Sequence, residues 1–336
     1  MRKPLHLAVL WLLAQVAVAQ TAPPGTIQSN STLVVVPTLV ETASGDLVPN
    51  LRAADFLLTD NGVVQKVTLE EVERQPVAVV VLMQTGGTAA RQFQNYAGLT
   101  AMLDVLTGGA PHQVALVTFD SRPEGASDFV ADVADLKEDL THPVAGDSGA
   151  AILDAVGYGI GLLERQPASM RRVLLLLSQT HDEGSKARAE RIVHLLGETN
   201  TVIYSVTFSP EKTWVKDQFT KERHENPPYE FSPGLPPLIH TINLGGPIGV
   251  ALRAMRTDTA AEVATLSGGE SLPFGNKADL DHQLNVLTNH IPSRYTLTFR
   301  PSSAEPGFHA IRVRVVDPPV PLTVRARESY WATGPE

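Results

Sequence analysis

The first group of residues along the chain that could do chemistry is the turn QTGGT, residues 84–88. It follows the apolar run 77–83. A strand that leads through a Gly-rich turn into a helix places that turn at the carboxyl edge of a parallel sheet, where α/β proteins build binding sites. This turn offers amide and hydroxyl oxygens but no charged group. Such groups form hydrogen bonds well, but without a carboxylate they bind a hard divalent cation only weakly. The turn is therefore a working site, a lost site or a tight connection.

The elements that would position this turn alternate along the centre of the chain. Residues 77–83, 113–119, 172–178 and 201–208 are near-continuous apolar runs, as expected of strands buried on both faces. Helical patterns lie between them at about 89–107, 149–165 and 185–198, and further ones follow at about 257–267 and 277–291. This alternation predicts an α/β fold with a doubly wound, mainly parallel, Rossmann-like sheet.

Segments with a β pattern flank this core. Residues 32–75 contain Asp60-Asn61-Gly62 between apolar runs, which predicts a hairpin. Residues 293–332 alternate apolar and polar side chains, as in an antiparallel sheet with one exposed face. The two segments could pair into a single β unit beside the core domain, residues 76–292. A segment rich in Pro and charge, at about 209–249, is longer than an ordinary loop and is predicted to be an insertion.

The N-terminus predicts export. Residues 1–19 combine Arg2 and Lys3, an apolar stretch and the small residues Ala17-Val18-Ala19, which together indicate a signal peptide cleaved after Ala19. Residues 20–31 are small and polar and are predicted to be flexible. We expect a secreted or periplasmic protein with no membrane insertion after cleavage.

The amino-acid composition limits the classes of partner and binding site that this protein can have. The formal net charge is −9, and cleavage would make it −11 by removing Arg2 and Lys3, which disfavours nucleic acid or an anionic membrane as a partner. The chain has no cysteine, which excludes disulfides and thiolate zinc sites.

Three stretches together resemble the von Willebrand factor A domain superfamily, and in particular the exported A-domain-related proteins abundant in acidobacteria. They are GDLVPNLRAADFLLTDNGVVQKV (45–67), VAVVVLMQTGGTAA (77–90), and SRYTLTFRPSSAEPGFHAIRVRVV (293–316) with LTVRARESYWA (322–332). The resemblance covers about residues 32–332. It implies an A-domain core, and at the carboxyl edge of its sheet a metal-ion-dependent adhesion site through which such domains hold a partner's carboxylate.

The ligands that the family uses are replaced in this chain. The motif's first Asp falls on Gln84, its two Ser on Gly86 and Thr88, its Thr on Ala150 and its last Asp on Gln179. Two carboxylates thus become amides, so we expect a degenerate metal site and no cofactor, with Mg²⁺ or Ca²⁺ disfavoured. The predicted partner-binding edge comprises Gln84, Thr85, Gly86, Thr88, Asp147, Ser148, Ala150, Gln179 and His181.

Other acidic and basic residues have competing interpretations. Asp147 and Asp182 could rebuild a displaced cation site, but the favoured interpretation is that Asp147 or Ser148 caps the helix near Gly149 and that Asp182 favours the next helix. GDSGAA, residues 146–151, matches a serine protease sequence but opens a helix of an α/β chain, so we interpret it as coincidence. The scattered histidines do not have zinc-ligand spacing. Arg312, Arg314, Arg325 and Arg327 alternate as on the exposed face of a sheet.

These observations favour a non-enzymatic, protein-binding module of adhesion or assembly that works through the edge without a metal. Two alternatives stay open: a structural scaffold of an envelope complex that acts through the Pro-rich insertion or the β segments, and metal-dependent adhesion through a displaced cation site. An enzyme is disfavoured because no paired acid and base stand out.

Overall fold

The computed structural model describes residues 33–70, 75–106, 109–208, 247–302 and 305–332. The predicted signal peptide, the predicted flexible residues 20–31 and most of the predicted insertion 209–249 lie outside these ranges. No helix in the described ranges is long and apolar enough to cross a membrane.

The described residues form strands and helices in the following order. The strands are β1 (Val34–Thr42), β2 (Phe56–Asp60), β3 (Val63–Gln65), β4 (Val67–Glu70), β5 (Val77–Gln84), β6 (His112–Phe119), β7 (Pro123–Ala126), β8 (Arg171–Gln179), β9 (Thr201–Phe208), β10 (Glu270–Phe274), β11 (Tyr295–Phe299), β12 (Gly307–Val315), β13 (Leu322–Ala326) and β14 (Ser329–Ala332). The helices are α1 (Leu99–Leu106), α2 (Lys137–Thr141), α3 (Ile152–Glu164), α4 (Ala189–Glu198), α5 (Pro247–Thr257), α6 (Thr259–Ser267) and α7 (Lys277–His290).

The predicted mainly parallel sheet is confirmed. Within the described ranges it has six strands in the order β10-β9-β8-β5-β6-β7, and β7 alone runs antiparallel to its neighbour. Strands β5 and β9 are buried at every residue, as their continuous apolar runs predict. The central position of β5 places the turn 84–88 in the middle of the carboxyl edge.

Helices cover both faces of this sheet, and the side chains of β5 divide between them. Val77, Val79 and Val81 pack into the layer that contains α1 and α7, whereas Ala78 and Val80 pack into the layer that contains α3 and α4. Successive side chains of a strand point to opposite faces, so an unbroken apolar run serves both layers. The fold is therefore a three-layer α/β arrangement.

Helices α3 and α4 begin three to four residues after their predicted starts, and two other helical stretches differ more from the predicted boundaries. The helix predicted at 89–107 begins as a 3₁₀ segment, Ala89–Gly98, in which buried Asn95 donates to the Gln92 side chain at 2.9 Å, and only Leu99–Leu106 is α-helical. Helix α5 begins at Pro247, about ten residues before the predicted return of the helical pattern. It buries Ala251, Leu252 and Met255, whose i, i+1 and i+4 spacing forms a single apolar stripe.

Strands from the two ends of the chain pair with each other. One four-stranded sheet has the order β13-β1-β11-β4 and another has the order β14-β12-β2-β3, both counted over the described residues. Val36 opposes Leu297 in the first sheet and Leu58 opposes Val313 in the second. A separate apolar core lies among these strands, and the exposed positions of β12 include Arg312 and Arg314.

Arg327 does not follow the exposed stripe that the sequence predicts, because it is buried to 3% exposure. Strand β13 ends at Ala326, and the guanidinium of the next residue donates to the carbonyl oxygens of Leu196 (2.8 Å) and Gly197 (2.6 Å) at the C-terminus of α4. Its Nε donates to the carbonyl of Ser329 at 2.6 Å. Burial lowers the pKa of Arg327 to about 10, so the group is still a cation at neutral pH. A cation is favourable there because the last carbonyls of a helix carry partial negative charge.

Besides Arg327, a cluster of buried charged side chains also links the six-stranded sheet and its helices to the strands from the chain ends. Glu270, at the start of β10, contacts His290 Nδ1 at 2.9 Å and Arg294 Nη2 at 3.3 Å. Glu41 of β1 accepts from Arg325 Nε of β13 at 2.9 Å and lies 3.7 Å from His290 Nε2. Burial by itself would raise the pKa of Glu270, but the hydrogen bond from His290 and the neighbouring cations outweigh it and hold that pKa below its ordinary value. The charges of this cluster are therefore mutually compensated.

The burial of Arg327 leads to a stability prediction. Arg327→Met keeps the apolar stem but leaves the Leu196 and Gly197 carbonyls without their donor, which we expect to lower the free energy of unfolding by about 2–4 kcal/mol. Arg314→Met, which removes the same charge from an exposed position of β12, should change it by less than about 0.5 kcal/mol. Urea unfolding followed by circular dichroism measures both. Equal stabilities of the two variants would contradict this role of Arg327.

Candidate functional site

Four loops meet at the carboxyl edge of the six-stranded sheet, and we use "carboxyl edge" for residues 84–88, 120–122, 146–150 and 179–182. Their backbones are hydrogen-bonded to one another. The amide of Gly87 donates to the carbonyl of Asp147 at 2.8 Å, and the amide of Ala150 donates to the carbonyl of Glu183 at 2.9 Å. The sequence-predicted residues of the edge therefore lie in one contiguous set of loops.

Gln84 and Gln179 bind each other in the centre of this edge. Gln84 Nε2 donates to Gln179 Oε1 at 3.1 Å, and the backbone amide of Gln179 donates to Gln84 Oε1 at 2.8 Å. Each side chain also binds a backbone carbonyl, since Gln84 Nε2 donates to the carbonyl of Gly86 at 3.1 Å and Gln179 Nε2 to that of His181 at 2.9 Å. Both side chains are buried. Each amide thus has the partners that a buried polar group requires.

The two glycines of the turn are required for different reasons. A Cβ on Gly86 would collide with the carbonyl of Gly149 and lie 2.7 Å from Asp120 Cβ. Gly87 has a φ of 57°, in the left-handed region that residues with a side chain rarely adopt. The side chain of Thr85 adds a further tie by donating to the carbonyl of Phe119 at 3.1 Å. The turn is therefore held by close backbone packing.

Asp120 belongs to the edge and was missed by the sequence analysis. Its carboxylate is buried, and it accepts hydrogen bonds from the backbone amides of Asp147 (3.1 Å) and Arg122 (3.3 Å). The signal was available, because Asp120 directly follows the apolar run 113–119 and so stands at the carboxyl end of a parallel strand. It joins the loop after β6 to the loop before α3.

Asp147 joins the same two loops from the other side and does not cap a helix. Helix α3 begins at Ile152 with Ala151 as its N-cap, so the predicted cap at 147 or 148 is wrong. Asp147 accepts instead from the hydroxyl of Ser121 at 2.5 Å and from the backbone amide of Gly149 at 2.7 Å. These hydrogen bonds, the one from the Ser121 hydroxyl foremost, lower the pKa of Asp147 below its ordinary value.

Asp182 caps α3, which precedes it in the chain, and not α4, which follows it. Its carboxylate accepts from the backbone amide of Leu153, in the first turn of α3, at 3.0 Å, and from the hydroxyl of Ser185 at 2.5 Å. The loop after β8 passes across the N-terminus of α3, so this carboxylate reaches the earlier helix before α4 begins at Ala189. Asp147 and Asp182 share no hydrogen-bond partner among the described residues.

The remaining predicted residues differ in exposure. Ser148 and His181 are exposed, and His181 Nδ1 lies 2.7 Å from the hydroxyl of Thr180. Ala150 is fully buried. Thr88 Oγ1 is buried and has no hydrogen-bond partner among the residues that the structure describes. In those same ranges, no group of three or more His, Asp or Glu side chains is arranged to hold a metal ion.

Comparison with known proteins gives likeness only at the level of structure. No family model and no curated protein matches the chain. BatB from Bacteroides thetaiotaomicron is 11% identical, with 64% of this chain and 97% of that chain covered and a TM-score of 0.39. Proximal thread matrix protein 1 from the mussel byssus, with a zinc-occupied MIDAS motif, is 15% identical, with 70% and 50% covered and a TM-score of 0.43.

A third similar structure is the vWF domain of the type V pili tip protein Mfa5 from Porphyromonas gingivalis, 16% identical, with 32% of this chain and 39% of that chain covered and a TM-score of 0.28. The structures similar to this chain thus include von Willebrand factor A-type proteins. This chain spans about half the length of the mussel protein.

The paired amides lead to a prediction with a defined pH dependence. Gln84→Glu keeps the shape, but the carboxylate loses the hydrogen bonds that Gln84 donates and faces Gln179 Oε1, which we expect to cost about 2–4 kcal/mol of stability at pH 7. Burial raises the pKa of such a carboxyl above its unfolded value, so the native state binds the proton more tightly than the unfolded state. The loss should therefore shrink as the pH falls towards about 4.3, the unfolded pKa of Glu.

Urea unfolding at several pH values measures this dependence. Gln113→Glu, at an exposed position of β6, is the matched control and should show neither the loss nor the added slope. If Gln84→Glu were as stable as the wild type at pH 7, this result would contradict the buried amide pair.

Proposed function

We propose that this chain is an exported, non-enzymatic protein-binding module of adhesion or assembly, with an A-domain-like core and flanking β segments. Its partner surface is the carboxyl edge, which works by hydrogen bonds and shape and without a bridging metal ion. The observation that carries the proposal is the mutual hydrogen bonding of Gln84 and Gln179 at the two positions where the family resemblance implies carboxylate ligands. Export is supported by the signal-peptide pattern of residues 1–19.

The donor set of the edge does not fit a hard divalent cation. Mg²⁺ and Ca²⁺ favour several oxygen ligands, with carboxylates among them. Gln84 and Gln179 each use their side-chain oxygen within the pair, and the carboxylates of Asp120 and Asp147 accept hydrogen bonds from backbone amides of neighbouring loops, those of Asp147 and Ser121. A cation would have to break these bonds before it was bound. The edge is therefore a degenerate adhesion site, in which side chains take over the cross-linking of the loops.

The exposed part of the edge is suited to a protein surface. Gly87, Ser148 and His181 are exposed, and Val144 in the adjoining loop is 84% exposed. A surface that combines backbone groups, short polar side chains and an apolar residue resembles the mixed chemistry of protein interfaces. The loops beneath are cross-linked by hydrogen bonds, so binding would cost little ordering entropy.

The absence of a bridging metal predicts the result of a thermal melt. In EDTA, and then with millimolar Mg²⁺, Ca²⁺ or Mn²⁺, we expect the melting temperature to stay within about 1 °C. A cation at about 100 times its Kd would add about 2.7 kcal/mol, which is roughly 5–10 °C for a domain of this size. A specific rise of that size would favour metal-dependent adhesion and overturn the metal-free mechanism.

A second prediction concerns the surface itself. Ser148→Arg places a long cation on the exposed part of the edge, and Thr323→Arg places the same side chain on exposed β13 as the matched control. Quantitative pull-down from the envelope and secreted fractions of the source cells should identify proteins that wild type and Thr323→Arg retain and that Ser148→Arg loses by at least tenfold. Both variants should melt at the wild-type temperature. If Ser148→Arg retained every partner that the control retains, the carboxyl edge would not be the binding surface.

A further inference from the structure

A cavity of about 560 Å³ lies at the opposite end of the parallel strands from the carboxyl edge. We name it the basal cavity. Its walls come from the first residues of β8 and β9, including Val173 and Val202, and from Val35 and Pro37 of β1. Thr296 and Thr298 of β11 also line it. Its volume is within the range of small-molecule sites, and it lies between the six-stranded sheet and the sheet β13-β1-β11-β4.

The wall of this cavity carries an excess of positive charge. Arg171, Arg172 and Arg294 line it; Glu270 compensates the charge of Arg294, and Glu70 is the single carboxylate that the described part of the wall contributes, so the sum of these charges is still positive. Glu70 accepts a hydrogen bond from the hydroxyl of Thr298 at 3.2 Å. Burial lowers the pKa of Arg171, and the charge of Arg294 adds to this effect. Arg171 and Arg294 therefore repel each other in a poorly solvated part of the protein.

Two of these guanidinium groups have N–H donors that no described residue accepts. Arg294 is 5% exposed; its Nη1 donates to the carbonyl of Gly268 and its Nη2 faces Glu270, but its Nε has no hydrogen-bond partner in the described ranges. Arg172 Nε is also buried and without such a partner, and Arg172 Nη2 makes a single long contact of 3.5 Å with the carbonyl of Glu164. A buried donor without an acceptor is costly, so each such group requires an explanation.

The rest of the wall combines polar side chains, among them Gln75 and Asn200, with an apolar part. Leu33, Val35, Met170, Val173 and Val202 line the cavity together with the arginines. Leu33 is 42% exposed and stands where the chain enters β1. An apolar wall favours a hydrocarbon body, and guanidinium groups favour a planar carboxylate that accepts two N–H donors at once.

We propose that the basal cavity binds a small amphiphilic carboxylate, with its head on Arg171, Arg172 and Arg294 and its hydrocarbon body against the apolar wall. The carboxylate accepts hydrogen bonds from the N–H groups that the described residues leave unpaired, and it offsets the remaining positive charge of the wall. Because the walls belong to two sheets, the bound molecule also bridges the core and the β strands from the chain ends. This site is separate from the carboxyl edge, so it does not depend on the function proposed for that edge.

The test is isothermal titration calorimetry of the full purified chain with sodium octanoate, and with sodium acetate and 1-octanol as the head alone and the body alone. Octanoate should bind with one site per chain and raise the melting temperature, and it should bind at least about tenfold more tightly than either fragment. Arg172→Met should weaken octanoate binding by about 10- to 100-fold, since it removes hydrogen bonds to a charged group. Arg314→Met, an equal loss of charge at exposed β12, should leave binding unchanged.

A second variant keeps the test independent of folding. Leu33→Glu places a negative charge at an exposed position of the cavity wall, and Val64→Glu, at a 62% exposed position of β3, is its control. Leu33→Glu should abolish octanoate binding at a wild-type melting temperature, whereas Val64→Glu should retain it. The proposal is overturned if octanoate fails to bind wild type, if 1-octanol binds equally well, or if the cavity variants and their controls bind octanoate alike.

Discussion

The contact between the helices of the six-stranded sheet and the β strands from the chain ends depends on Arg327. Its guanidinium lies at the C-terminus of α4 and donates to carbonyls of that helix and to the carbonyl of Ser329, and no carboxylate of the described residues binds it. Since a buried cation tolerates little displacement from its acceptors, this contact sets where β13 and β14 lie against the helices. Close packing supports it, because a Cβ on Gly197 would lie 2.9 Å from the backbone of Trp331. The pairing of the C-terminal strands with β1 and β2 then places the N-terminal strands as well.

The same rule, that buried polar groups must be paired, accounts for the carboxyl edge. Gln84 and Gln179 bind each other, and Asp120 and Asp147 each accept a hydrogen bond from a backbone amide of a neighbouring loop. These side chains join loops that belong to different strands. In a cation site, the ion would provide that cross-linking through its ligands; here the side chains provide it directly, so the surface is organised before any partner arrives.

The two ends of the parallel strands thus differ in how their polar groups are satisfied. At the carboxyl edge the buried amides and carboxylates are paired within the protein. At the amino end the guanidinium groups of Arg172 and Arg294 each keep an Nε without an acceptor among the described residues, beside an apolar cavity. Glu270 compensates the charge of Arg294 through Nη2, and Glu41 compensates that of Arg325 through Nε, but neither carboxylate binds the Nε of Arg172 or Arg294. The contrast separates a preformed surface from a cavity whose wall has N–H groups without an acceptor among the described residues.

The sequence by itself determined the α/β core, because apolar runs that serve both faces of a sheet and helices of 3.6-residue period are local patterns. It also determined that the turn 84–88 stands at the carboxyl edge and that Gln84 and Gln179 bring amides to it. Only the tertiary structure decided which groups meet. Asp182 caps α3 instead of α4, Asp120 ties the loop before α3, and Arg327 is buried against a helix 131 residues earlier in the chain. Periodicity reports on a residue's near neighbours in sequence, whereas the partner of a long polar side chain is set by where distant segments cross.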